Sequence, residues 1–430
     1  MKSLLASIII ATVIPIAQAG ADDYLYVVNG MAQTLSRINL TSSVVENHIL
    51  TLGVAPNDIK ISGDSAYVLN STSDNIQIFD LIGQNEVGTM EFAQGGNPWE
   101  MAFAANGSLW VTNYVSGRLY EVDIPSRSIL RNIPIGNTLE GILIYGSRIF
   151  VTDVNYNPDN FSFGDGKLYY SDLPELTNWS SVTVGVNPQR MLIGSDGNLH
   201  IICTGNYSDT FGAIYVIDPT TVSITDSISI GGSPGYGVLN KNNLVFLGAG
   251  GWVDYGEVYC YDGATYEILN GPANPIQTGA GAGGMVTDIY GNVYSCNFME
   301  GTVSKINQFR QVVGTFFVGD GPQVAAYYNP DATGFDDGYP LDKSDLTLTL
   351  YPNPFNSWLS ILATGFRSGE KLDIRIYNLQ GNLVQEFNDV ITGGNQIVHR
   401  WNGSELASGI YFLCAYSHYG TTQTKLTLTK

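Results

Sequence analysis

Asp58, Glu100 and Glu140 recur at intervals of roughly 40 residues, each near the start of an apolar segment: PNDIKIS, PWEMAFA and LEGILIY. Arg190 (PQRMLIG) and Tyr236 (PGYGVLN) continue the series, and Val324 with the Gly283-Gly284 stretch completes it. Side chains at one position of a repeat are expected to converge in space. Three converging carboxylates suit a hard cation such as calcium, which is bound through oxygen. They suit general acid–base chemistry equally well if crowding raises one pKa. The plainer alternative is hydration, or pairing with Arg190. All five are candidate ligand-binding residues, and the three acids are also candidate metal ligands. Calcium is the one cofactor the sequence suggests.

A second set lies in long loops. Residues 153–167 (DVNYNPDNFSFGDGK), 205–212 (GNYSDTFG) and 248–257 (GAGGWVDYGE) supply Tyr156, Phe161, Phe163, Tyr207, Phe211, Trp252 and Tyr255 among Asp, Asn and Gly. Aromatic faces beside amides and carboxylates suit a sugar or a protein partner, or pack beneath their own loops. The alternation Asp153, Asn155, Asn157, Asp159 resembles a calcium loop but lacks its turn glycine and distal glutamate. No catalytic set emerges. His48, His200, His399 and His418 are scattered, and there is no nucleophile elbow or phosphate loop.

These residues need a scaffold that repeats. Strands ending in Asn or Asp recur as LYVVN, AYVLN, LWVTN and IFVTD, with weaker copies LHIIC, LVFLG and VYSCN. Each is followed by an alternating strand that closes on Asp or Asn, as at Asp80, Asp123, Asp172, Asp218 and Asp262. That recurrence marks a turn, where Asp bonds its own backbone, rather than catalysis. Four strands per repeat, seven times over, is the pattern of a seven-bladed β-propeller. The repeats begin on a second strand at Tyr24 and end on a first strand, Pro322–Tyr328, so the last strand is expected to close the ring.

LYVVN, LWVTN and IFVTD resemble the YVTN-repeat propellers over residues 22–330. The likeness implies the fold and leaves the function open. Composition agrees: 49 Gly and 26 Tyr with only 13% charged residues favour strands and turns. A net charge of −20 argues against nucleic acid and against an anionic membrane surface as partners.

Residues 331–345 (DATGFDDGYPLDKSD) read as an acidic linker, and 346–430 as a further all-β domain, an immunoglobulin-like sandwich. There, Tyr351-Pro352-Asn353-Pro354-Phe355, IYNLQGNLV and WNGSELASGIYF, with Gly409 and Tyr411 in the last, resemble the C-terminal sorting domain (type A) of type IX secretion cargo. This implies the type IX machinery as a partner. It also implies passage through the periplasm of a Gram-negative bacterium to the medium or cell surface. Lys2, the apolar run Leu4 to Ala17 and Ala17-Gln18-Ala19 read as a signal peptide over 1–19, too short to span a bilayer. No membrane-spanning segment is expected in the mature chain. Cys203, Cys260 and Cys296 lie in different repeats and Cys414 in the tail, so buried free thiols are expected.

Three readings of function remain open at this level. One is a secreted or surface protein binding a glycan, peptide or protein on one propeller face. Another is a metal-dependent lactonase or lyase using the channel carboxylates. The third is a structural surface-layer component.

Overall fold

The repeat's apolar strands do not alternate because both of their faces are buried. In strand Tyr24–Asn29, Leu25 and Val27 pack against Val286, Tyr294 and Cys296 of one neighbouring sheet, while Tyr26 and Val28 pack against Ile59, Val68 and Phe79 of the other. The hydrophobic core is therefore a series of layers between adjacent sheets. The structure, a computed structural model, describes residues 22–104, 107–250, 256–330, 335–336, 347–364, 371–378, 383–390, 396–417 and 420–430, and these contain no helix. The expected signal segment 1–19, most of the linker 331–345, Trp252 and Tyr255 lie outside the described residues.

Up to Tyr328 the described residues form seven antiparallel sheets of four or five strands that succeed one another along the chain. The first strands of the sheets are Pro56–Ser62, Pro98–Phe103, Leu139–Tyr145, Pro188–Ile193, Tyr236–Leu239, Ala282–Thr287 and Pro322–Tyr328. Each neighbours the next, and the last neighbours the first, in a closed circle. Closure comes from Pro322–Tyr328 pairing with Tyr24–Asn29, from Tyr24 opposite Tyr328 to Val28 opposite Val324. The fold is all-β and propeller-like. One sheet has a divided outer edge, Ile268–Asn270 and Ile276–Thr278 both pairing with Gly256–Asp262. Gly271, Pro272 and Pro275 interrupt it there, since proline gives no ladder donor.

The asparagine that ends the repeat strand has a structural task. Asn29 donates from Nδ2 to Thr34 and Ser36, Asn70 to Asn75 and Gln77, and Asn297 to Thr302 and Ser304. In all three the partners stand five and seven residues on, so the side chain pins the hairpin to the following strand. A glycine packs on it: a Cβ at Gly319 would lie 2.6 Å from Asn29 Cγ, and one at Gly53 2.7 Å from Asn70 Cγ. Gly319→Ala is expected to lower stability by about 1–3 kcal/mol, the usual cost of overpacking. Urea unfolding checks this, and an unchanged midpoint contradicts it.

At the strand ends Asp80, Asp123, Asp218 and Asp262 accept N–H groups two or three residues on, as turn residues do. Asp172 instead pairs with Arg148 at 2.7 Å. Cys203, Cys260 and Cys296 are buried free thiols pushed up to about 12 by desolvation, and Cys414 is also free.

The C-terminal strands form two sheets. Thr347–Tyr351, Trp358–Thr364 and Gln396–Asn402 make one, and Leu383–Val390, Lys371–Asn378, Gly409–Ser417 and Gly420–Leu428 the other. They share one core that includes Phe355, Leu359, Ile374, Trp401, Tyr411 and Leu426. No helix among the described residues is long and apolar enough to cross a membrane.

Candidate functional site

Register places the candidate residues at one edge of the sheets. Pro56 lies opposite Asn70, Pro98 opposite Asn113, Leu139 opposite Asp153 and Pro188 opposite Cys203. The starts of the first strands and the ends of the second strands therefore share a face. Each of these pairings is followed by a register shift at the start of the first strand. Such irregularities re-aim side chains and backbone donors.

Asp58 and Glu100 take up those donors. The Asp58 carboxylate accepts the Met101 N–H at 2.8 Å, and Glu100 accepts the Ile142 N–H at 3.0 Å. Each acid thus bonds the first strand of the next sheet. Arg190, nearly buried, contacts Glu100 directly and lies 4.0 Å from Asp58, with its guanidinium 4.6 Å from the centre of the Tyr236 ring. Burial alone would lower the Arg190 pKa, but Glu100, Tyr236 and Asp58 outweigh it and hold the side chain cationic. Burial raises Glu100 against the pull of Arg190. Glu140 is 5% exposed and is pushed up to about 8 by burial, with Arg190 lowering and Glu100 raising it.

The arrangement around Asp58, Glu100 and Glu140 therefore contains a built-in cation, Arg190. Among the described residues no group of three His, Cys, Asp or Glu side chains is placed to hold a metal ion. Asp153 is likewise engaged, accepting from the backbone of Asn137, Thr138 and Asn155 and from the Thr138 hydroxyl. Those bonds fix the start of a small hairpin in which Tyr156 lies opposite Phe163.

Over the same face runs a row of aromatic rings drawn from three neighbouring sheets. Trp99 and Tyr114 are 5.0 Å apart between centroids, Tyr114 and Tyr156 6.5 Å, Tyr156 and Phe163 5.2 Å, and Phe163 and Tyr207 6.1 Å. The first four are half-buried and Tyr207 is 58% exposed. Gln189 donates to the Tyr207 hydroxyl at 3.3 Å. Glu140 stands within electrostatic reach, since its charge helps raise the hydroxyl pKa of Tyr114 and of Tyr207 beyond what burial does. The structure thus joins three of the expected aromatics, Tyr156, Phe163 and Tyr207, in one row. Phe161 and Phe211 are exposed at 80% and 63% and take no place in the row.

Sequence reasoning missed Trp99 and Tyr114. A signal existed: Tyr114 directly follows the repeat residue Asn113, and Trp99 directly precedes Glu100. His200, one of the scattered histidines, is fully buried, 2.7 Å from the Tyr261 hydroxyl and 3.3 Å from Asp196. Burial holds the Tyr261 hydroxyl well above its ordinary range.

In the tail, the segment 351–355 is a clasp on the last strand. Asn353 donates to the Lys425 carbonyl at 3.0 Å and accepts the Thr427 N–H at 2.9 Å. Phe355 is buried against Trp401, while Tyr351 is 77% exposed. Gly409 begins the strand carrying Tyr411, whose hydroxyl donates to the Ala407 carbonyl at 2.8 Å.

Residues 349–429 match the family described as a secretion system C-terminal sorting domain. The chain carries a type IX sorting domain, which marks it for export to the cell surface or medium through the type IX machinery. Among curated proteins none matches the sequence. Solved structures match the fold at low identity. A putative 6-phosphogluconolactonase from Bacteroides uniformis superposes with TM-score 0.55 and 11% identity, over 71% of this chain and 99% of that one. A functionally unknown protein from Desulfotomaculum acetoxidans gives 0.54 and 13%, over 72% and 99%. Hydrazine synthase from Kuenenia stuttgartiensis gives 0.53 and 15%, over 78% and 96%. These likenesses concern the fold alone.

Proposed function

We propose that the protein is a secreted or surface-displayed seven-bladed propeller of the YVTN-repeat type that binds a glycan on the face carrying the aromatic row. In this reading an immunoglobulin-like sandwich at 346–430 delivers it, with 331–345 as a linker after the propeller 22–330. The observation that carries the proposal is the row itself: five rings from Trp99 to Tyr207, spaced 5.0 to 6.5 Å, along one edge of three sheets. Such a row offers apolar area for the C–H faces of successive sugar rings, with the Gln189 amide beside it for hydroxyls. A metal-dependent lactonase or lyase would need Asp58 and Glu100 free to bind calcium, whereas both are bonded to backbone N–H groups and set against Arg190.

A glycan array followed by titration tests the reading. The double variant Phe163→Ala/Tyr207→Ala is expected to weaken binding of the array hit at least tenfold, about 1.4 kcal/mol. Absence of any bound glycan, or an unchanged affinity in the double variant, refutes it.

A further inference from the structure

We infer that the outer strand Val312–Phe317 is a docking edge for an extended, acidic segment of a partner protein, which adds to its sheet as a further strand. The strand has a neighbour on one side only, Thr302–Ile306, and forms the outer edge of its sheet. The direction of its free backbone groups follows from the ladder. The Val318 N–H donates to the Gly301 carbonyl at 3.0 Å, one pair beyond Thr302 opposite Phe317. Bonded and unbonded pairs alternate in an antiparallel ladder. Val303 with Phe316 is therefore bonded, while Thr302 with Phe317 and Ser304 with Thr315 are not. The N–H and C=O groups of Thr315 and Phe317 thus point away from that neighbour, toward the open edge. The Phe317 carbonyl agrees, accepting Nδ2 of Asn47 from the next sheet at 3.4 Å.

Open edges are normally blunted by charge, proline or shortness, since they template pairing with other chains. The other outer strands follow that rule. Val45–Thr51 carries Glu46, Asn85–Glu91 carries Glu86 and Glu91, Ser128–Pro134 carries Arg131 and Pro134, and Ser223–Ser229 carries Asp226. Ser180–Thr183 is only four residues long, and one sheet has the divided edge already described. Val312–Phe317 (VVGTFF) has six residues, no charge and no proline. Its Val313 and Phe317 are exposed. A groove of about 370 Å³ lies beside it, lined in part by Leu40, Ser43, Lys305, Val313, Thr315 and Phe316.

Charge selects the occupant. From Gly301 to Gly319 the chain has Lys305 and Arg310 and no acid, in a protein of net charge −20. Among the described residues neither base forms an ion pair. The Lys305 ammonium lies 5.6 Å from the centre of the Tyr294 ring, in a side chain that lines the groove. Glu46, the acid of the neighbouring outer strand, is taken up by Arg37. An incoming strand with acidic side chains gains the outward backbone bonds and meets these two bases. A second copy of the same strand would instead bring two like-charged hairpins together, which opposes pairing.

The test selects a displayed library of short random peptides on the full-length exported protein and titrates the enriched peptide. That peptide is expected to be acidic and rich in β-branched residues. Thr315→Pro should weaken it by about tenfold or more. The proline removes an outward donor and leaves the ladder to Thr302–Ile306 intact. Arg310→Gln should weaken it about threefold, the scale of an exposed ion pair. N-methylation of alternate peptide residues is expected to abolish binding in one phase and spare it in the other. That readout uses the unaltered protein, so the test does not depend on a variant folding. Enrichment of no peptide overturns the inference, and so does a basic peptide or one that binds Thr315→Pro unchanged. Equal effects of the two methylation phases overturn it as well. A dimer of the unaltered protein in sedimentation that is lost in Thr315→Pro gives the edge to a second copy and also overturns it. None of these outcomes touches the glycan reading.

Discussion

Arg190→Met is expected to destabilise the protein by about 3–5 kcal/mol, the usual consequence of removing one partner from a buried ion pair. The methionine fills much of the same space, so the loss reports charge rather than volume. Without the guanidinium, the buried Glu100 carboxylate loses its contact and Asp58 loses the cation 4.0 Å away. The double variant Arg190→Met/Glu100→Gln should recover part of the loss, because the surviving carboxylate is removed along with its partner. The coupling is read from a double-mutant cycle of urea unfolding. If Arg190→Met unfolds at the midpoint of the unaltered protein, the buried pair is not holding the sheets together.

The pH dependence follows from the neighbouring acid. Glu140 has an ordinary value of 4.5 and a folded value of about 8. Between those values the folded chain keeps a proton that the unfolded chain has released, so the stability Glu140 contributes falls as pH rises. That contribution is fully present below the unfolded value and lost on passing through the folded one. Glu140→Gln is expected to flatten this part of the profile between about pH 5.5 and 8, and to raise stability at the alkaline end. Unfolding curves at several pH values provide the check, and a profile that keeps its slope in the variant contradicts it.

The sequence made the scaffold readable because its chemistry repeats. Tyr26 and Val28 face one neighbour and Leu25 and Val27 the other, so a strand apolar throughout signalled burial between two sheets. The turn role of Asp218 and Asp262 was equally visible, since their backbone partners are local. The site was only partly legible. Recurrence brought Asp58, Glu100, Glu140 and Arg190 together, but it could not say whether the acids would meet a metal or the arginine. That depends on register shifts after Pro56, Pro98, Leu139 and Pro188, which aim backbone N–H groups and side chains by amounts no spacing reveals. The aromatic row shows the same limit. Tyr156 and Phe163 stood out in a long loop. Trp99, in contrast, lies within an ordinary strand and Tyr114 directly follows its partner strand, and the two join the row only where Tyr114 meets Tyr156 of the next sheet.

Removal of residues 346–430 is expected to abolish delivery, with the truncated chain accumulating in the periplasm and near-complete loss from the surface and medium. The matched sorting domain is the reason, and cell fractionation in a host with type IX secretion is the measurement. Undiminished export of the truncated chain would show that the signal lies elsewhere. A milder change asks what the machinery needs from the domain. Asn353 bonds the last strand twice, to the Lys425 carbonyl and the Thr427 N–H. Asn353→Ala gives up both, at a net cost of about 0.5–1.5 kcal/mol each. It leaves the exposed Tyr351 and the buried Phe355 of the same motif in place. If delivery depends on the clasp between motif and last strand, export should fall in proportion to the loss of folded domain. Export in the variant should then recover when the domain is stabilised at an unrelated core position. If delivery depends on a surface that includes Tyr351, Asn353→Ala should pass while Tyr351→Ala fails. The two outcomes separate a fold that must be formed from a face that must be touched.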